Sequence, residues 1–217
     1  MPLVDYTLKG NIPVKRYVID EDVKPTAVVF GKFSPWTGPN GHGKLVDYAK
    51  ENFDEVVIVS PTRKAKDKKV DIFTDEQKEK IINKANPDIK FHRIPSDIPI
   101  RMFTEVLGLG YERPVLIVGE DRGKSFSRFF IHYDENNKAI TDQDNKELFG
   151  KGEYLVVPRG DEDTSATKVR EALEADDKET FIELTGYDEA MWKLMKSFLK
   201  KNLGIKESFC YFYSEGE

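Results

Sequence analysis

From Thr26 onward, short β-branched runs alternate with helix-length amphipathic segments, and this alternation restricts the chain to few architectures. The runs are Thr26–Phe30, Glu55–Val59, Lys90–Ile94, Val115–Val118 and Tyr154–Val157, each fenced by Gly, Pro or Asp. Short runs rich in Val and Ile are what strands buried on both faces require. Between them, Gly43–Asn52 places Leu45, Val46 and Ala49 on one helical face. Asp75–Ala85 opens with the capping-box pattern Thr74-Asp75-Glu76-Gln77 and carries Ile81, Ile82 and Ala85 inward. Ile100–Leu109 ends before Gly110, and Asp121–Phe129 is a shorter helical segment. Strand, helix and parallel strand join by right-handed crossovers. The expected fold is therefore α/β, a doubly wound five-stranded parallel sheet with helices on both faces.

Three segments stand outside the alternation. Residues 1–25 read as an extended N-terminal arm in which Tyr6–Leu8 and Arg16–Ile19 suit edge strands. Residues 131–153, inside the main domain of 26–187, are polar and carry the turn cluster Asp134-Glu135-Asn136-Asn137, which suits a surface hairpin or flap. Residues 188–217 form a C-terminal helix and tail. Met191, Trp192, Leu194, Met195, Phe198 and Leu199 recur there at helical spacing as a docking face. The aromatic tail Ser208–Tyr213 suits packing on the domain or on a second copy in a homo-oligomer.

Composition excludes several classes of function. With 34 basic and 39 acidic residues the net charge is −5, unsuited to sequence-independent binding of a nucleic-acid backbone. No apolar run approaches the roughly 20 residues that span a bilayer, and the N-terminus shows no apolar signal core. A cytoplasmic protein without a membrane partner is the expectation. Cys210 is the one cysteine, so neither an internal disulfide nor a cysteine-built zinc site can form, and His42, His92 and His132 lie far apart in sequence. No residue is assigned as a metal ligand.

The strongest local signal follows the first strand of the alternation: Gly31-Lys32-Phe33-Ser34-Pro35-Trp36-Thr37-Gly38-Pro39-Asn40-Gly41-His42-Gly43-Lys44. Glycines let backbone approach a ligand closely, and a helix start favours phosphate. Gly38 to Lys44 satisfies the GxxxxGK spacing of a P-loop NTPase or kinase. Leu45, however, stands where a hydroxyl must meet Mg²⁺, and the strand ends well before Gly38. The stretch as a whole resembles the GxFxPxHxGH signature of the nucleotidyltransferase superfamily, through Gly31, Phe33, Pro35, Gly41 and His42. Thr37 occupies the place of the first histidine, as in some members. Gly38-Pro39-Asn40 separates it from Gly41 where the commonest form has one residue.

A second segment, Thr164-Ser165-Ala166-Thr167-Lys168-Val169-Arg170, resembles the superfamily's [IV]SxTxxR motif, with Thr164 replacing the aliphatic residue. Without the resemblance, Ser165 is a good N-cap and Arg170 lies about one turn on, an arrangement able to hold phosphates. A plain capped helix buried through Val169 and Leu173 is the alternative. Strand four ends in Val118-Gly119-Glu120-Asp121-Arg122. All three motifs follow strands, and ligands of doubly wound sheets sit beyond the strands' carboxyl ends. The basic run Arg63–Lys69 after the second strand suits a solvated loop or a lid over polyphosphate.

The resemblance implies a Rossmann-like fold and nucleotidyl transfer, in which an acceptor phosphate attacks the α-phosphorus of a nucleotide and pyrophosphate leaves. It implies a nucleotide site of Gly31, Phe33, Gly41, His42, Gly119, Asp121, Ser165, Thr167 and Arg170. His42 would meet the α-phosphate, Lys32 the phosphates from the opposite side and Thr37 an acceptor oxygen. Ser165, Thr167 and Arg170 would hold the leaving group, and Arg122 would meet an acceptor phosphate. Mg²⁺ is expected on nucleotide oxygens and water, as this ion prefers. The stretch SATKVREAL favours AMP transfer from ATP; CTP as donor, the P-loop activity and non-catalytic nucleotide binding are the alternatives. Nicotinamide mononucleotide, a pantetheine phosphate and a sugar phosphate are all compatible acceptors.

Overall fold

The computed structural model describes residues 4–9, 12–17, 23–62, 71–95, 99–120, 122, 153–158 and 164–204. Its strands are β1 (Val4–Lys9), β2 (Ile12–Tyr17), β3 (Thr26–Phe30), β4 (Glu55–Pro61), β5 (Lys90–Ile94), β6 (Pro114–Gly119) and β7 (Glu153–Val157). Its helices are α1 (Lys44–Asn52), α2 (Asp75–Ala85), α3 (Pro99–Gly108), α4 (Ala166–Ala175), α5 (Lys178–Thr185) and α6 (Glu189–Asn202). Strands β3 to β7 form one sheet in the order β5-β4-β3-β6-β7, every neighbouring pair parallel. The chain winds outward from β3 through β4 to β5, then crosses back to β6 and β7. The winding therefore reverses between β3 and β6, where a crevice opens beyond the strand ends.

The pleat divides the core. Ala27 and Val29 of β3, Ile58 of β4 and Val115 and Ile117 of β6 face α1, α2 and the C-terminal helices. Val28, Val57, Val59, Leu116 and Val118 face α3 through Met102, Phe103, Val106 and Leu107. Helices thus cover both faces, which explains why these strands are apolar without alternation. In α6, Met191, Trp192, Met195 and Leu199 are buried in the first of these clusters, with Leu194 and Phe198 packed against it. The helical stripe read from the sequence is thus core. Asn202, at the end of α6, donates to the Ile72 carbonyl at 2.7 Å and to Gln77 Oε1 at 2.8 Å. Gln77 also completes the capping box that starts α2, its side chain accepting from the Thr74 amide at 2.9 Å.

Two features differ from the sequence reading. The N-terminal strands pair antiparallel with each other, from Val4↔Tyr17 to Lys9↔Ile12, in a two-stranded sheet of their own and not as edges of the main sheet. The intervening Gly10-Asn11 is a composition that favours two-residue hairpin connections. The second is α5, which the apolar pattern does not announce. Asp177 caps it by accepting from the Thr180 amide at 3.0 Å, and Gly186 ends it at φ 72°. The segment 121–129 (save Arg122), the flap 131–152, the basic run 63–69, the aromatic tail, His132 and Cys210 lie outside the described residues.

His92 on β5 has a structural partner, its Nε2 lying 2.8 Å from the Tyr111 hydroxyl. Burial, and then the charge of Lys90, hold its pKa below the ordinary value. The unfolded chain therefore binds this proton more readily than the folded one. The stability His92 contributes is complete above the ordinary histidine pKa of about 6.5 and is lost as pH falls through the lower folded value. Denaturant titrations are expected to show that loss in the wild type and a flatter acid limb in His92→Gln.

Candidate active site

The loop after β3 is built from buried residues. The Gly31 amide donates to the Val59 carbonyl at 3.3 Å and prolongs the sheet by one residue before the chain turns. Lys32 is exposed, whereas Phe33, Trp36 and Thr37 are each 2% exposed. Phe33 adopts φ 46°, a left-handed conformation that costs an L-residue of order 1–2 kcal/mol and persists only where packing enforces it. Here its ring lies 5.0 Å from Trp36 and 5.0 Å edge-on from His42.

Residues Pro39–Gly43 then form a π-helical turn that leads directly into α1. This turn accommodates the extra residues between Thr37 and Gly41. The Gly43 amide closes it by donating to the Gly38 carbonyl at 2.8 Å, and Gly41 donates to the same oxygen at 3.1 Å. The His42 amide donates to Thr37 Oγ1 at 2.8 Å. Three successive amides are therefore turned inward. A P-loop requires such amides to face phosphate, so Gly38–Lys44 is not one, and Lys44 is the exposed first residue of α1.

The same turn orients the imidazole. His42 Nδ1 lies 3.1 Å from the Thr37 amide nitrogen and 2.9 Å from Thr37 Oγ1. An amide N–H can only donate, so Nδ1 is the acceptor and the proton of the neutral ring sits on Nε2. Thr37 thus accepts from the His42 backbone while fixing the tautomer of its ring. Gly41 permits this approach, because a Cβ there would lie 2.0 Å from Thr37 Oγ1 and 2.7 Å from Thr37 Cβ. Gly41→Ala is expected to lose about 1–3 kcal/mol by overpacking, visible as a melting temperature lowered by several degrees.

Helix α4 supplies the second half of the site. Ser165 caps it, accepting from the Lys168 amide at 3.3 Å, and helix geometry leaves the Ala166 and Thr167 amides without intrahelical acceptors. Arg170 donates to the Ser34 carbonyl at 2.7 Å and to Thr167 Oγ1 at 2.9 Å, which uses two of the five guanidinium N–H groups. The Thr164 amide donates to the Asn40 carbonyl at 3.2 Å, and its hydroxyl donates to the Leu184 carbonyl. That hydroxyl contact explains how threonine is tolerated, buried, where an aliphatic residue is usual. The helix start and the His42 loop are thus joined at two points.

Ser34 is the hub of this junction. Its hydroxyl donates to Asp71, whose carboxylate is 2.6 Å from the Lys78 ammonium. Lys78 is 4% exposed, so its charge is neutralised inside the protein beside the loop that Arg170 grips. Across the switch point, Gly119 ends β6; continuing the register Val29↔Ile117 sets it beside Gly31. Arg122 is exposed, and Asp121 lies outside the described residues. The sequence reading missed Ser34, Asp71 and Lys78, although a lysine in helical register with Ile81 and Ile82 was a visible anomaly.

Residues 28–172, more than half of the chain, match the family model described as cytidylyltransferase-like. The chain belongs to that family. It is therefore a member of the nucleotidyltransferase superfamily, and the matched region contains both the His42 loop and Arg170. The cytidylyltransferase-like chain is 28% identical over 152 residues to phosphopantetheine adenylyltransferase of Lacticaseibacillus casei, spanning 62% of this chain and 88% of that protein. In fold it resembles the nicotinic acid mononucleotide adenylyltransferase of Plasmodium falciparum, with a TM-score of 0.51 at 14% identity over 81% of this chain and 96% of the other. It also resembles a bifunctional NMN adenylyltransferase/ADP ribose pyrophosphatase of Francisella tularensis, with a TM-score of 0.54 at 15% identity. That likeness covers 84% of this chain but only 50% of the longer protein.

Proposed function

We propose that this chain transfers AMP from ATP to a small molecule bearing a terminal phosphate and releases pyrophosphate. The observation that carries the proposal is the joining of the two motifs: Arg170 of α4 bonds Ser34 in the loop whose turn fixes the His42 tautomer. An acceptor phosphate oxygen forms a bond to the α-phosphorus, and the bond to the bridging oxygen breaks with its electron pair leaving on pyrophosphate. The acceptor is already an anion, so no side chain need remove a proton or become covalently attached. Catalysis is alignment of two anions plus stabilisation of charge that grows toward the leaving group.

His42 donates through Nε2 to the α-phosphate. Arg170, Thr167 and the Ser165-capped helix start receive the β- and γ-phosphates, guanidinium planarity matching two oxygens at once. Lys32 adds charge from the loop, Gly119 and Asp121 border the nucleoside, and Arg122 meets the acceptor. Thr37 is buried with its hydroxyl on His42, and on that ground its part is to hold the imidazole. The imidazole, hydroxyl and guanidinium groups of this site are donors that suit phosphate oxygens. Mg²⁺, which prefers phosphate oxygens and water, would come with ATP and would supply charge neutralisation at its phosphates.

The two kinds of adenylyltransferase among the relatives set the acceptor panel. The full chain is to be mixed with Mg²⁺, each of the four nucleoside triphosphates in turn, and pantetheine phosphate, nicotinamide mononucleotide, nicotinic acid mononucleotide or sugar phosphates. ATP with one acceptor is expected to give pyrophosphate and a product heavier by one AMP unit. Product with CTP in place of ATP would correct the donor, whereas orthophosphate release without a nucleotidylated product would defeat the proposal.

A further inference from the structure

We infer that Tyr187, between α5 and α6, is a positioning residue for His42 and acts on it through the indole of Trp36. The inference rests on the transfer reaction proposed above. The Trp36 indole N–H donates to the Tyr187 hydroxyl at 2.6 Å, a contact between residues 151 apart in sequence. The Trp36 ring also packs against the His42 ring, with centroids 5.4 Å apart and planes inclined by 32°. Phe33 meets both rings, each at 5.0 Å. Thr37 determines which nitrogen of His42 accepts, and the Trp36 and Phe33 rings pack against the imidazole. An indole held by its single N–H cannot rotate without losing the bond, so the Trp36 ring keeps its place against His42.

Tyr187 is itself held firmly. Its amide donates to Thr185 Oγ1 at 3.2 Å, and Thr185, fully buried, donates from that hydroxyl to the Phe181 carbonyl at 2.7 Å. Gly38 makes room for the seat: at φ 72° its absent Cβ would lie 2.4 Å from the Thr185 carbonyl oxygen and 2.9 Å from the Tyr187 ring. Asn40, in the π-helical turn, donates to the Glu183 carbonyl at 3.2 Å. The end of α5 is thus seated along the turn that carries His42. Burial pushes the Tyr187 phenol well above its usual pKa, so it stays protonated at working pH. Phenylalanine would fill this volume without burying a hydroxyl, which points to orientation of the indole as the hydroxyl's use. Tyr187 lies beyond residue 172, where the family match ends, so the C-terminal helices contribute to the active centre and do more than cover the core.

The test uses the full chain as wild type, Tyr187→Phe, His42→Ala and the double variant, with melting temperature, kcat and KM for ATP measured on each. Tyr187→Phe is expected to lower kcat about 10-fold and to leave KM for ATP nearly unchanged. In the His42→Ala background the same change is expected to lower kcat no further, because the group it positions is gone. An undiminished loss in that background, or full kcat in Tyr187→Phe, would overturn the inference. Should Tyr187→Phe fail to fold, Trp36→Phe, which keeps a ring but lacks the N–H, takes its place in the same cycle. Imidazole nitrogen resonances of ¹⁵N-histidine-labelled protein give a readout without turnover. The signals absent from His42→Ala are expected to shift in Tyr187→Phe, and unshifted signals would count against the inference. If the wild type makes no product with any acceptor, the reaction is refuted while this spectroscopic arm still decides the positioning.

Discussion

Replacing His42 with alanine is expected to lower nucleotidyl-transfer turnover by roughly 10²–10⁴-fold, the range for removing a preorganised donor to developing charge. The proton on Nε2 follows from two bonds at Nδ1, so the loss should appear chiefly in kcat, the donor acting most strongly in the transition state. The ring is half-buried, and its removal leaves the turn's own amide bonds to Gly38 and Thr37 in place. Circular dichroism should therefore report an intact fold with a modest drop in melting temperature. His42→Gln, whose amide nitrogen reaches about as far as Nε2, should recover part of the turnover. Lys44→Ala is the contrasting variant: under a P-loop mechanism it would abolish nucleotide use, and here it should leave turnover near wild type.

The second large effect is expected at Arg170. Arg170→Ala should lower kcat/KM for ATP by roughly 10- to 150-fold, the equivalent of about 1.5–3 kcal/mol for charge-assisted hydrogen bonds. Two consequences combine in that figure. The β- and γ-phosphates lose a planar cation, and the loop after β3 loses the donor on the Ser34 carbonyl. Arg170→Lys should rescue little. An ammonium carries the charge, but it cannot bond Ser34 and Thr167 while presenting further donors in a fixed plane. Steady-state kinetics with pyrophosphate as product inhibitor checks the assignment. Inhibition should weaken in parallel in both variants, and unchanged pyrophosphate affinity would move Arg170 out of the leaving-group site.

Most of the sheet was legible because its central strands β3, β4 and β6 are buried on two faces. Continuous runs such as Thr26-Ala27-Val28-Val29 have few other stable uses, and β3 and β5 match their sequence-based limits while β4, β6 and β7 extend slightly further. The helices Asp75–Ala85 and Ala166–Ala175 were legible from their caps, Thr74 with Gln77 and Ser165, since capping is written within four residues. His42 and Phe33 stood out for the same reason, as uncommon residues at fixed offsets from glycines. The supports of the site were not legible. Trp36 finds Tyr187, Ser34 finds Asp71, and Asn40 finds Glu183 across long stretches of chain, with no periodicity to announce them. Helix α5 was missed because it is eight residues long and buries only Phe181 and Thr185, too few to make a periodic face. The interval Gly38-Pro39-Asn40 could be counted but not shaped, since its accommodation depends on the Gly43 amide reaching back to Gly38.

Which phosphorus of ATP is attacked is decided by position-specific labelling. ATP radiolabelled at the α-phosphate and, separately, at the γ-phosphate is to be turned over by the full chain with its acceptor and Mg²⁺. The α label is expected to move into the acceptor product and the γ label to be recovered in pyrophosphate. Recovery of the γ label in the acceptor or in orthophosphate, with the α label left in ADP, would contradict AMP transfer.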